Sequence, residues 1–354
     1  MEKTILSNDL IRYCERLFVA AGVPKHRAHV LAASLVDSDL RGFSSHGIIR
    51  IPVYIRRIME GLTECTAEVG HISDFSGAAL LDGKNIIGQV VGREAMALAI
   101  EKAKSSGIAC VGVRNTNHFG ICGQYSEMAT FHNMLGICVV NTTPLVAVHG
   151  GSKKAVGNNP LSIALPARKH FPILLDMACS VAQGKIEVLN KQGLDIPLGW
   201  AVDQDGNPTT NAADALKGVL LPVAGPKGSG LAIAIDVIAG ILTGSGVGAE
   251  IKHLNDPHPQ NLGAFFIAID ISKFVGEELY YERVDGYIDY LKETAVRDEQ
   301  IFMPGECEYR LMEERKVTGI PVPAAVLDEL DALAHTLGIG SFMSDESAGD
   351  GSNA

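Results

Sequence analysis

From residue 78 onward the chain is written in short apolar runs of β character separated by polar turns, and this texture limits the fold more than any other feature. The runs at 78–81, 108–113, 137–141, 161–165, 173–175 and 264–269 have strand length. Helical spacing intervenes at 90–104, 123–132 and 231–242, so strands and helices alternate and an α/β layer domain is expected. A parallel connection needs a crossover of about a dozen residues, and several runs are joined by fewer, so the sheet is expected to be mixed.

The chain ends read differently. Leu10, Cys14, Leu17 and Phe18, then Val30, Leu31, Ala33, Leu35 and Val36, fall at helical spacing, with Gly22-Val23-Pro24 dividing two helices. Pro24 suits a first helical turn. Residues 54–59 continue as helix and stop at Gly61; 284–295 and 324–337 regain the same spacing. The late helices are expected to pack on the early ones. Residues 1–75 and 295–343 would then form a discontinuous helical outer domain around an α/β domain at 76–294. The small, polar segment 344–354 is expected to be a disordered tail.

With 47% hydrophobic and 20% charged residues, the chain can build a substantial core. A formal charge of −11 without a basic stripe argues against nucleic-acid binding. No run approaches the roughly 20 apolar residues of a membrane span, and the N-terminus lacks a secretion signal. The seven scattered cysteines form no Cys-x-x-Cys pair, which fits reduced thiols and no zinc site. A soluble, cytoplasmic protein is expected.

Ser44-Ser45-His46-Gly47-Ile48-Ile49-Arg50-Ile51-Pro52-Val53-Tyr54 carries the densest chemistry. A helix starting after Gly47 would place His46 and Arg50 on one face. An imidazole exchanges protons near neutrality and a guanidinium clamps carboxylates, which is what oxidation of a 2-hydroxy acid requires. The same residues also suit a loop histidine beside a solvated arginine.

Phosphate-binding loops are sought among glycines. Gly244-Ser245-Gly246-Val247-Gly248-Ala249 follows a helix-like stretch rather than a strand, so a helix C-terminus is the better reading than a Rossmann loop. Gly225-Pro226-Lys227-Gly228-Ser229-Gly230 opens that helix and could hold a phosphate or be a plain N-terminal turn. Asn115–Gly120, Asn141–Pro144 and Gly157–Pro160 stand beside strand-like runs, as ligand loops or ordinary turns. Asp176 could orient an imidazole, contact a cofactor or cap the helix after it.

Taken together, these segments resemble the type-2 malate/L-lactate dehydrogenase family of NAD(P)-dependent enzymes that lack a Rossmann fingerprint. The resemblance runs through Ser45-His46-Gly47 with Arg50, Asn117-His118-Phe119-Gly120, Asn141-Thr142, Gly157-Asn158-x-Pro160, Asp176-Met177-Ala178, Lys227-Gly228 and Pro304-Gly305-Glu306. It implies a homodimer with a helical domain built from both chain ends and a cofactor domain on a mixed, largely antiparallel sheet. It implies His46 as main acid/base, Ser45 beside it, Arg50 toward the substrate carboxylate and His118 as the competing acid/base. Thr142, Asp176, Met177, Ala178, Lys227, Gly228, Pro304, Gly305 and Glu306 would contact NAD or NADP, with NAD favoured and no metal involved.

Cys179, Ser229 and His149 stand where threonine, tyrosine and tryptophan are common in that family, which bears on substrate and cofactor choice. Arg168-Lys169-His170 could receive a 2′-phosphate, although a solvated basic turn is the simpler reading. The expected activity is dehydrogenation of small 2-hydroxy acids of the malate or lactate type. The alternatives are reduction of a cyclic imine (piperideine- or pyrroline-2-carboxylate) and a non-catalytic dinucleotide-binding module.

Overall fold

The computed structural model describes residues 2–180, 183–297 and 299–342; the tail expected at 344–354 lies outside them. The chain opens with β1 (Glu2–Ile5), α1 (Ser7–Ala20), α2 (Lys25–Leu40) and α3 (Ile51–Met59). Next come β2 (Gly70–Asp74), β3 (Ala78–Asp82), α4 (Gly88–Ser106), β4 (Ile108–Thr116), α5 (Gly123–Thr130), β5 (Met134–Val140), β6 (Leu161–Leu165) and β7 (Ile173–Met177). A smaller lobe holds α6 (Gln183–Lys191), β8 (Ala201–Val202), β9 (Pro208–Thr209), α7 (Ala212–Lys217) and β10 (Val219–Leu220). The chain leaves it through α8 (Pro226–Ile235), which continues as a π-helical segment, Asp236–Ile241. Last come β11 (Leu262–Asp270), α9 (Glu277–Glu293), α10 (Glu306–Thr318), β12 (Ile320–Pro323) and α11 (Ala324–Thr336).

Among the described residues, seven strands form the main sheet in the order β2-β3-β4-β11-β5-β6-β7. Only β3 and β4 run parallel, and the long α4 makes their crossover; all other pairs are antiparallel. The sheet is thus mixed and largely antiparallel, as expected. β11 arrives from late in the chain and separates β4 from β5, so the sheet closes only when distant segments meet. Its Leu262, Ala264, Phe266 and Ala268 are buried in alternation.

Two glycines show how tightly helices seat on this sheet. A Cβ on Gly136 of β5 would lie 1.9 Å from the Ser126 carbonyl oxygen of α5, and one on Gly263 of β11 would lie 1.7 Å from that of Ala239 in the π segment. The chain ends meet as β1 pairs antiparallel with β12, Thr4 opposite Pro321. α10 packs on α2 and α11 on α3. β8, β9 and β10 form a separate three-stranded sheet over a small core that includes Ile186, Ile196, Ala212, Ala215 and Leu220.

Candidate functional site

Between α2 and α3 the chain makes two short 3-10 turns, Ser44–His46 and Ile48–Arg50. His46 and Arg50 therefore do not share the face of one helix. Gly47 is extended (φ −89, ψ −151), and α3 begins only at Ile51 with Pro52 in its first turn. Backbone and hydroxyl contacts hold the two residues instead. Arg50 Nε donates to the Ser45 carbonyl at 2.6 Å, and Ser45 Oγ lies 2.9 Å from His46 Nδ1.

The loop is pinned from beneath by Asp39, a residue of α2 that is 6% exposed. The Ile48 N–H donates to Asp39 Oδ2 at 2.8 Å, and a Cβ on Gly47 would fall 2.1–2.2 Å from the Asp39 carboxylate atoms. Only glycine fits there. Burial raises the Asp39 carboxyl to about 7, against the pull of the Ile48 N–H and the Arg315 charge.

His118 reaches the same place from the end of β4. Asn117 Nδ2 donates to the carbonyls of Asn85 and Ile86, and the His118 N–H donates to Gln260 Oε1 at 2.9 Å. The His118 ring stacks on that of His46 with centroids 5.6 Å apart and planes at 17°. Its Nδ1 lies 2.5 Å from Tyr54 Oη, which also receives a hydrogen bond from Gln89 Nε2 at 3.2 Å. Burial, reinforced by the Arg50 charge, brings His46 down to about 4. Burial, with His46, Arg50 and His253 nearby, holds His118 well below its ordinary value. At neutral pH the site thus presents two uncharged imidazoles, a guanidinium, a serine hydroxyl and a phenol.

The residues expected to contact a cofactor gather along β7 and its exit. Leu174 N–H donates to the Pro304 carbonyl, and a Cβ on Gly305 would lie 2.7 Å from Leu174 Cβ. Asp176 Oδ2 accepts from the Gly123 N–H at 2.6 Å, at the first residue of α5. Burial raises its carboxyl to about 6. Met177 and Ala178 are partly exposed beside it. Beyond them Cys179 N–H donates to the Asn158 carbonyl, and Val223 N–H to that of Cys179.

Gly228 packs so closely here that a Cβ would lie 2.2 Å from the Val223 oxygen, while Lys227 is exposed at the start of α8. Thr142 N–H donates to Asn159 Oδ1 and its hydroxyl to Asn158 Oδ1, so the two Asn-rich loops brace each other. Asn141 ties β11 to the Gly246 turn. Glu306 is buried; although burial opposes ionisation, Lys292, the Met303 N–H and Arg310 hold it down at about 2. A cavity of ≈ 340 Å³ opens beside it, bounded by Lys169, His170, Phe171, Lys292 and Arg310.

The glycines after residue 243 close the π segment, with Gly244 at φ +74, and do not join a strand to a helix. Arg168 forks onto Glu278 and His170 bonds Asp289, so two of the three basic residues of that turn meet carboxylates of α9. Ser229 Oγ accepts from the His149 N–H, which links two of the positions that depart from the family pattern. Asp39, Gln89, Arg57 and Gln260 were not singled out by the sequence. Isolated polar residues on otherwise buried faces carry no periodic signal. Among the described residues no cluster of His, Cys, Asp and Glu could hold a metal, and no helix is long and apolar enough to cross a membrane.

The sequence profile of the family described as malate/L-lactate dehydrogenase matches residues 5–331. The chain is 41% identical over 321 residues to the L-sulfolactate dehydrogenase of Methanocaldococcus jannaschii, covering 90% of this chain and 92% of that protein. It superposes on the solved structure of the sulfolactate dehydrogenase from that organism with a TM-score of 0.91, at 38% identity over 96% of this chain and 98% of the other. It is 38% identical to the malate dehydrogenase of Pyrococcus horikoshii, over 93% and 94% of the two chains. It is 32% identical to the ureidoglycolate dehydrogenase (NAD(+)) of Escherichia coli K12, over 94% and 97%.

Proposed function

The chain belongs to the malate/L-lactate dehydrogenase family, and from that premise we propose that it oxidises small 2-hydroxy acids of the malate or lactate type and reduces the matching 2-oxo acids. The observation that carries the reading is the stacked His46–His118 pair with Arg50 beside it. When bound, a nicotinamide cofactor supplies the hydride acceptor and donor. The protein's share is to grip the carboxylate and move one proton.

In oxidation, neutral His46 takes the hydroxyl proton, and Ser45 Oγ on Nδ1 steadies the ring. Arg50 has its Nε committed to the loop and offers its terminal nitrogens to the substrate carboxylate. That pairing has a second effect. Burial holds His46 down and the Arg50 charge adds to it; an arriving carboxylate cancels that added part, so the imidazole becomes more basic when substrate is present. The enzyme thereby acquires a proton carrier suited to both directions.

The donor set along β7 fits a dinucleotide. Lys227, exposed among glycines at a helix start, would meet a phosphate. Thr142, Asp176, Met177, Ala178, Gly228, Pro304 and Gly305 would line its path, and Glu306 would shape that path through its ion pairs. NAD is favoured over NADP because the Arg168 guanidinium is already forked onto Glu278. Seven free cysteines support a reducing, cytoplasmic setting. The assembly is a homodimer. Leu231, Ile233, Val237, Ile238, Ile241 and Leu242 expose an apolar face on α8 and its π continuation, which a two-fold partner would cover.

The test is loss of NADH or NADPH absorbance with oxaloacetate, pyruvate and piperideine-2-carboxylate in turn. Turnover with a 2-oxo acid supports the reading. Turnover with the cyclic imine alone overturns it.

A further inference from the structure

Five buried side-chain atoms among the described residues lack a protein partner, and three belong to residues around one cavity. They are Arg57 Nε, Gln89 Oε1 and Asn117 Oδ1. All three residues line a cavity of ≈ 20 Å³ that Tyr54 and His118 also border. None is more than 3% exposed.

Their other polar atoms are spent. The Arg57 terminal nitrogens donate to the carbonyls of Leu254, Asp256, Leu62 and His258. Asn117 Nδ2 donates to Asn85 and Ile86, which fixes the sense of its amide. One donor and two acceptors remain. A single water accepting from Arg57 Nε and donating to both oxygens would make the three hydrogen bonds usual for a buried water, and the volume is enough for one such molecule.

We propose that this cavity is a built site for one water, and that its occupant locks the Gln89 amide and thereby sets which nitrogen of His118 carries the proton. With Oε1 held by the water, the Gln89 NH₂ group is the end that meets Tyr54 Oη. The Tyr54 oxygen receives that hydrogen, so its own proton points to His118 Nδ1. Nδ1 is then an acceptor, and the neutral ring keeps its proton on Nε2. Burial pushes the Tyr54 phenol up to about 12, so it keeps the proton that it donates.

Gln89 is on this view a positioning residue acting through Tyr54. Resting on the proposed activity, the consequence is that His118 offers substrate a hydrogen-bond donor, and His46 is left as the ring that accepts the proton.

The tautomer is read without substrate, by ¹⁵N NMR of the histidine-labelled full chain, with His118→Asn identifying the signal. The expected His118 pattern is a pyridine-type Nδ1 and a pyrrole-type Nε2. Gln89→Glu turns the chain of bonds around, because a carboxylate accepts the Tyr54 proton, and Nδ1 should shift to the pyrrole type. Gln89→Met should abolish the preference.

A pyrrole-type Nδ1 in the wild-type protein overturns the proposal, as does an unchanged pattern in both variants. A high-resolution crystal structure should show one water within hydrogen-bond reach of Arg57 Nε, Gln89 Oε1 and Asn117 Oδ1; a dry cavity overturns the water site. Inactivity toward 2-oxo acids would leave both readouts intact, so failure of the activity and failure of the proton assignment are separable.

Discussion

Replacing Asp39 with asparagine should remove a pH-dependent burden on stability. The carboxyl stands at about 7 in the folded chain because burial disfavours its charge, against about 3.9 in an unfolded one. The folded state therefore binds the proton more tightly, and stability falls as pH rises between those values. A gap of about 3 pKa units at 1.36 kcal/mol each gives an upper figure of about 4 kcal/mol, absent below about pH 4 and complete above about pH 7.

Asparagine does not titrate, yet its Oδ1 can still accept from the Ile48 N–H. Urea unfolding of wild type and Asp39→Asn near pH 4 and near pH 8 isolates the effect. The stability difference should move toward the variant by up to about 4 kcal/mol over that interval. A difference independent of pH within about 0.5 kcal/mol would refute the buried-charge reasoning. Turnover should change little in Asp39→Asn. Asp39→Ala orphans the Ile48 N–H, at about 1–3 kcal/mol, and loosens the loop that carries His46.

Arg50→Lys should raise KM for 2-oxo acids by about tenfold or more while the cofactor Kd stays constant, since a point charge replaces a planar fork. A wild-type KM with a lowered Tm would reduce Arg50 to its bond with the Ser45 carbonyl. Lys227→Ala should weaken NADH binding by roughly ten- to a hundredfold, the worth of one charge-assisted hydrogen bond, read by fluorescence titration; an unchanged Kd makes the glycine segment a structural turn. Ile241→Glu should drive the protein to 37.6 kDa monomers in sedimentation equilibrium, and a variant that stays dimeric excludes the α8 face as the interface.

Much of the fold was legible because its strands are locally distinct. β6 spans the expected 161–165, and α4 exceeds the expected 90–104 only at ends that carry no apolar signal. β2 was not seen. Its single large apolar residue, Ile72, is 44% exposed, so this edge strand buries no face that alternation could reveal. The seat of β11 between β4 and β5 is a long-range choice that no local window contains.

At the site, residue types pointed to His46, Arg50 and His118, but spacing misled. Four residues apart suggested a shared helical face, whereas Gly47 breaks the helix to lie on Asp39. Asp176 left three readings open, an imidazole partner, a cofactor contact or a cap for the helix after it, and none of them names the Gly123 N–H of α5 that its carboxylate accepts from. Such pairings depend on which segments fold together, and the sequence marks only the participants.

The proton carrier is tested by kinetics of His46→Asn and His118→Asn side by side, with cofactor Kd measured on the same samples. His46→Asn should lose roughly 10²–10⁴-fold in kcat for 2-oxo acid reduction, the usual worth of a general acid/base, with NADH affinity unchanged. His118→Asn, which keeps a side-chain donor, should lose less. A His46→Asn enzyme that retains most of its activity beside an inactive His118→Asn would reverse the two roles.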